Sequence, residues 1–249
     1  MPHLQLSTRR HASAELRRQI GSAMRSYYDE LSAARLRRVY ELGSPEVQAY
    51  LKAEVDFLLA TIQSGSRVLE LGCGYGRVLS ALVSSGAWLV GIDLSLSSLA
   101  LAHHEQFVGS SNSLVQMDAS ALCFRPASFD LVCCPQNGIS ALHVDQRQLM
   151  AAALRLLTPG GKALFFSYAD AFWPHRLAWF RVQAAHGLVG EIDESATGDG
   201  TIVCRDGFTA TTVTPERFTE LTSGLNAEVT VSILQNSSVV CSVTNATAV

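Results

Sequence analysis

Residues Arg67 to Val78 read RVLELGCGYGRV, and the rest of the chain can be placed around them. Val68, Leu69 and Leu71 form a short apolar run, the pattern of a strand buried on both faces. Gly72, Gly74 and Gly76 follow at alternate positions, and a helix is predicted from Arg77 to Val83. Glycine lets the backbone take positive φ and lets a ligand come close with no Cβ in the way. A strand, a glycine-rich turn and a helix start, in that order, predict a nucleotide site at the carboxyl end of a sheet.

The spacing narrows the ligand. Dinucleotide enzymes carry G-x-G-x-x-G, which sets a pyrophosphate against the helix N-terminus. Here the glycines run G-x-G-x-G, and Glu70 stands two residues before the first of them. A carboxylate beside that turn suits a cationic ligand better than a phosphate. The run E-L-G-C-G-Y-G resembles motif I of the class I S-adenosylmethionine (SAM)-dependent methyltransferases.

Further landmarks fall at matching distances. Trp88 to Ile92 reads as a second buried strand ending at Asp93, 17 residues after Gly76. An acidic residue there accepts hydrogen bonds from both ribose hydroxyls; the alternative is an N-cap for the helix predicted over Ser95 to Phe107. Ser113 to Met117 is the third strand, ending at Asp118-Ala119. The resemblance implies that this acid meets the adenine amino group. Phe129 to Pro135 is the fourth strand, and the resemblance puts Gln136-Asn137-Gly138 beside the transferred methyl group. Asp145, with Gln148, starts a helix through Leu157 that Thr158-Pro159-Gly160-Gly161 stops. Lys162 to Tyr168 is the fifth strand. L-L-T-P-G-G-K-A-L-F-F-S closely resembles the segment that follows the motifs in the same family. The resemblance covers about residues 64–169 and, more loosely, the last two strands. It implies SAM as methyl donor, S-adenosylhomocysteine as product, and a cofactor set of Glu70, Gly72, Cys73, Gly74, Gly76, Asp93, Leu94, Asp118, Ala119 and Gln136.

Composition bounds the rest. The chain has 249 residues, 48% hydrophobic, which suits one α/β domain with additions. A net charge of −3 makes no case for nucleic acid or an anionic membrane. No apolar run is long enough to span a bilayer, and the N-terminus lacks a signal-peptide pattern. Six scattered cysteines without C-x-x-C predict neither a disulfide scaffold nor a metal site. The expected setting is cytoplasmic, as a monomer or homodimer.

The flanks are more individual. Residues 1–40 hold eight arginines against three acids, read as a solvated helix face, with an anion site or a presequence as alternatives. Ser44 as N-cap and Pro45 as first residue start a helix through Ile62. Residues 1–63 are expected to form a helical cap or lid, placing Tyr27 or Tyr28 near the methyl group or the amino-acid end of SAM. Residues 64–249 would form the Rossmann-like domain. An insertion at about 170–213 is expected to cover the substrate, with a hairpin around Arg205-Asp206-Gly207. Helix Thr214 to Gly224 and an antiparallel last pair, Glu228–Leu234 and Val239–Val243, complete the chain. The expected fold is α/β: a seven-stranded, mostly parallel sheet with an antiparallel last pair, helices on both faces and an N-terminal helical extension.

A sulfonium methyl is already activated, so such a site chiefly aligns a nucleophile and excludes water. A general base is needed only for an acceptor that holds its proton at neutral pH. His143 and His175 are the candidates, each weighed against an ordinary hydrogen-bonding histidine. Asn137, Phe172 and Trp173, with Tyr27 and Tyr28, are the candidate substrate residues. The [DNS]-P-P-[YF] signature of many nucleic-acid N-methyltransferases is missing, which favours a small-molecule acceptor. A non-catalytic SAM-binding protein and a nicotinamide-dependent oxidoreductase are the competing readings.

Overall fold

The computed structural model describes residues 33–105 and 112–245. Its strands are β1 (Arg67–Leu71), β2 (Trp88–Asp93), β3 (Asn112–Gln116), β4 (Phe129–Cys134), β5 (Leu157–Tyr168), β6 (Ile202–Val203), β7 (Thr209–Ala210), β8 (Ala227–Leu234) and β9 (Ser238–Asn245). All but β6 and β7 join one sheet in the order β3-β2-β1-β4-β5-β9-β8. Strands β1 to β5 are parallel; β9 runs antiparallel to both β5 and β8. That is the topology expected from the strand pattern.

The helices are α1 (Ala34–Glu41), α2 (Pro45–Thr61), α3 (Arg77–Leu82), α4 (Leu96–Glu105), α5 (Gly138–Ala141), α6 (Gln146–Leu156), α7 (Trp173–Ala185) and α8 (Pro215–Thr222). Three starts show why short polar residues precede helices. Ser44 Oγ accepts from Val47 N, Asp145 Oδ1 from Gln148 N, and Thr214 Oγ1 from Arg217 N, each satisfying an amide that has no helical partner.

Alternation along the buried strands sends neighbouring residues to opposite faces. Val68, Leu131, Cys133, Leu164 and Phe166 pack with Val55 and Leu58 of α2 and Leu79 and Leu82 of α3. Leu69, Leu71, Val132, Cys134, Ala163 and Phe165 pack with Leu149 and Met150 of α6 and Phe218 of α8. Cys133 and Cys134 therefore lie in different layers. A third apolar cluster joins Val39 of α1, Tyr50 of α2, Trp179 of α7 and the short β6-β7 hairpin with its Phe208. The hairpin was legible in the sequence; its partners were not.

Two boundaries differ from expectation. The fifth strand begins at Leu157 rather than Lys162, because Thr158 to Gly161 bulges within it instead of ending it: Phe129 pairs with Leu157, but Leu131 already pairs with Lys162. The division at residue 63 is also absent from the packing. Seven residues of α2 are buried, among them Val55 and Leu58 against the sheet, so α2 belongs to the core and only α1 lies over it as a separate piece. Residues 1–32, with Tyr27 and Tyr28, lie outside the described residues.

Candidate cofactor and acceptor site

The chain passes from β1 to β2 on one side and returns to β4 on the other, which opens a crevice past the carboxyl ends of β1 and β4. A cavity of roughly 330 Å³ occupies it. The glycine loop forms one wall. Gly72 and Cys73 both donate their amides to Ile92 O at 2.9 Å, fastening the loop to the end of β2. Gly74 and Gly76 have φ of 52° and 80°, the left-handed region where a side chain is strained. A Cβ on Gly74 would come within 2.9 Å of Leu36 on α1. The glycine thus admits α1 to the loop, a role the sequence reading had given to the ligand alone.

Asp93 sits at the centre of this wall. Its Oδ2 accepts from Gly74 N and its Oδ1 from Ser95 N, both at 2.8 Å. The start of α4 is capped by Ser95, whose Oγ accepts from Ser98 N at 3.2 Å, so the helix-cap alternative for Asp93 does not hold. Asp93 lines the cavity, and a carboxylate oxygen can accept more than one hydrogen bond. Leu94 is exposed at the cavity rim, and Cys73 is buried beneath the loop.

Glu70 is 2% exposed yet lines the cavity, and its Oε2 has no hydrogen-bond partner among the described residues. Burial pushes its carboxyl up to about 8, against the pull of Arg77 and with a further push from Asp93. An orphaned buried carboxyl, a second carboxylate and an open glycine turn within one cavity fit a ligand that is cationic at one end and carries hydroxyls. SAM has both features, and these residues fit it.

The other walls come from α1 and from the segment after β4, which includes α5. Leu36 and Tyr40 reach in from α1, and Pro135, Gln136, Leu142 and His143 from the segment after β4. The Arg77 guanidinium lies 5.1 Å from the Tyr40 ring centroid. The Gln136 amide donates to Tyr40 Oη at 2.7 Å and accepts from Arg77 Nε at 3.0 Å. Burial lowers the His143 pKa, which favours the neutral ring.

The structure does not gather every residue singled out from the sequence. Asp118 caps the short turn at Ala119–Ala121 through Ser120 N and, like buried Ala119, does not line the cavity. Asn137 is turned away: its Nδ2 donates to Thr211 O at 2.8 Å and its Oδ1 accepts from Ser167 Oγ at 2.9 Å, so its side chain ties the insertion to β5. Phe172 packs on Tyr50 and Tyr168, and Trp173 stands by Arg176 in the third cluster. His175 is exposed beside Phe172. These residues build the cover from behind instead of lining the site. Tyr40 and Leu36, missed in the sequence, do line it.

Comparison with known proteins agrees with this geometry. Residues 68–161 match the family described as "Methyltransferase domain". A ubiquinone biosynthesis O-methyltransferase from Pseudomonas fluorescens (strain SBW25) is 35% identical over 105 residues, 41% of this chain and 44% of that protein. The chain thus spans less than half the length of the curated relatives it matches. Two solved structures share the fold. A SAM-dependent methyltransferase from Methanosarcina mazei is 20% identical, with a TM-score of 0.56 over 82% of this chain and 99% of that one. A Pyrococcus horikoshii OT3 protein, also 20% identical, has a TM-score of 0.61 over 86% of this chain and all of that one. Motif spacing, sheet order and the family match converge: residues 68–161 are similar to a methyltransferase domain, carried on a Rossmann-like sheet with an antiparallel last pair.

Proposed function

We propose that the protein transfers the methyl group of SAM to a hydroxyl of a small, largely apolar acceptor. The observation that carries this reading is one cavity lined both by the Glu70 and Asp93 carboxyls and by the neutral His143 with an apolar wall. Bound SAM supplies a methyl group on a sulfonium, already activated toward a nucleophile.

The chain's own residues supply the rest. Asp93 would accept from the ribose hydroxyls, the glycine loop would leave its backbone open to the ligand, and Glu70 would face the cationic end. Asp118 and Ala119 remain the residues proposed for the adenine edge. His143 would take the acceptor's proton at a ring nitrogen, which a neutral imidazole can do at pH 7. Helix α1 would exclude water, since it rests on the glycine loop through Leu36 and on α4 through Ala33 N, which donates to Ser98 Oγ at 2.9 Å. The relatives named as O-methyltransferases support a hydroxyl as the attacking group.

The test has two parts. Thermal shift with SAM, S-adenosylhomocysteine and NAD should show stabilisation by the first two only. A panel of phenols and catechols, read by mass spectrometry, should then yield a singly methylated product with the native chain and much less with His143→Asn. Stabilisation by NAD alone would return the oxidoreductase reading. SAM binding with no product from any acceptor would favour the non-catalytic one.

A further inference from the structure

A buried acid on α2 has no place in the account so far. Glu54 is fully buried on a helix face that otherwise presents Val47, Tyr50, Leu51, Val55 and Leu58. A carboxyl in such surroundings is costly unless its oxygens are bonded. Both are: Oε1 accepts from Ser238 Oγ, and Oε2 accepts from Gln136 N at 2.7 Å. The second bond crosses 82 residues of sequence to reach the segment after β4.

That segment needs holding. Gln136 and Asn137 have φ of 54° and 59°, two successive non-glycine residues in the left-handed region. Such backbone persists only where its surroundings over-determine it. The Asn137 side chain is fastened to Thr211 O and Ser167 Oγ, and the Gln136 amide is fastened to Glu54. The resulting corner turns the Gln136 side chain into the cavity, beside Tyr40 and Arg77.

We infer that Glu54 is a positioning residue: through its bond to the Gln136 amide it sets the post-β4 corner and thereby the acceptor end of the cavity, without touching either ligand. The link to the acceptor rests on the methyl-transfer reading above; the grip on the corner does not. Glutamine at position 54 keeps a carbonyl oxygen for Gln136 N and can donate to Ser238 Oγ. Alanine offers neither. Aspartate keeps the charge but falls one methylene short.

The experiment compares Glu54→Ala, Glu54→Asp and Glu54→Gln with the native chain. Three readings are taken: amide hydrogen exchange at Gln136, S-adenosylhomocysteine affinity by calorimetry, and affinity of the S-adenosylhomocysteine complex for 3,4-dihydroxybenzoate as acceptor probe. In Glu54→Ala, exchange at Gln136 should speed at least tenfold and probe affinity should drop at least fivefold. S-adenosylhomocysteine affinity should stay within twofold, and Glu54→Gln should restore native behaviour in all three. If the alanine variant does not fold, the aspartate variant is read by the same criteria. Unchanged exchange at Gln136 overturns the proposal, as does an equal loss of both ligands, which marks a general structural role. If the probe fails to bind the native complex, the phenolic-acceptor reading is what fails, and the exchange data still decide whether Glu54 holds the corner.

Discussion

Helices α1 and α2 adjoin in the chain and differ in almost every physical respect. In α1 only Val39 is buried, Arg35 and Arg38 are exposed, and no side chain caps the start. In α2 seven of 17 residues are buried, the start is capped by Ser44 with Pro45 behind it, and a carboxyl is sealed inside. Helix α2 is held by apolar area against the sheet. Helix α1 is held by a few discrete contacts: Trp179 Nε1 donates to Val39 O at 2.9 Å, Ala33 N to Ser98 Oγ, and Arg35 to Gly187 O. Two helices adjacent in the chain therefore have different jobs. One is part of the scaffold, and the other is a cover whose attachments can be cut singly.

The comparison breaks most severely at Leu58, which is fully buried between α2 and the sheet. Leu58→Ala should cost about 2–5 kcal/mol, from lost transfer energy and the cavity left behind. Urea unfolding measures it. A cost below about 1 kcal/mol would mean that α2 is as lightly attached as α1.

Next comes the pH dependence that α2 brings with it. Burial pushes the Glu54 carboxyl up to about 7, against its bonds to Ser238 and Gln136 and the pull of the nearby Tyr50 hydroxyl and Arg77; Tyr168 and Cys134 also face it. An acid whose pKa is raised by folding contributes fully below its unfolded value of about 4.5, and that contribution is lost as pH rises toward 7. The slope is about 1.4 kcal/mol per pH unit over that window. Glu54→Gln should therefore gain on the native chain between pH 5 and 7 in unfolding titrations. Parallel curves for the two proteins across that window would show that Glu54 is already ionised in the folded state.

A smaller effect separates the cover from the scaffold. Trp179→Phe removes the hydrogen bond to Val39 O while keeping an aromatic ring, at about 0.5–1.5 kcal/mol. The loss should appear as faster proteolysis around Arg35 to Arg38, and S-adenosylhomocysteine should slow that cleavage. Cleavage rates that ignore the ligand would remove α1 from any covering role. Least of all should the surface pairs matter. Arg38–Glu41 on α1 and Lys52–Asp56 on α2 are half-exposed ion pairs within their helices. Breaking either by an alanine should change stability by about 0.5 kcal/mol or less, whichever helix carries it.

From sequence alone the cofactor half of the molecule was readable because its signals are local. A strand buried on both faces, glycines where the backbone turns left-handed, and an acid at the end of β2 lie close together in the chain. The helix starts at Ser44, Asp145 and Thr214 were readable for the same reason, since a cap and the amide it satisfies are three residues apart. The seven-stranded, mostly parallel sheet with its antiparallel last pair followed from those landmarks. Glu54 carried a signal as well, a lone acid on the apolar stripe of α2, but its meaning lies 82 and 184 residues away at Gln136 and Ser238. Only the tertiary structure could turn Asn137 inward to Thr211, place Tyr40 and Leu36 in the cavity, and bury α2 while leaving α1 on the surface. Those outcomes depend on which distant groups compete for each hydrogen bond and each patch of apolar area, and periodicity along the chain holds no information about that competition.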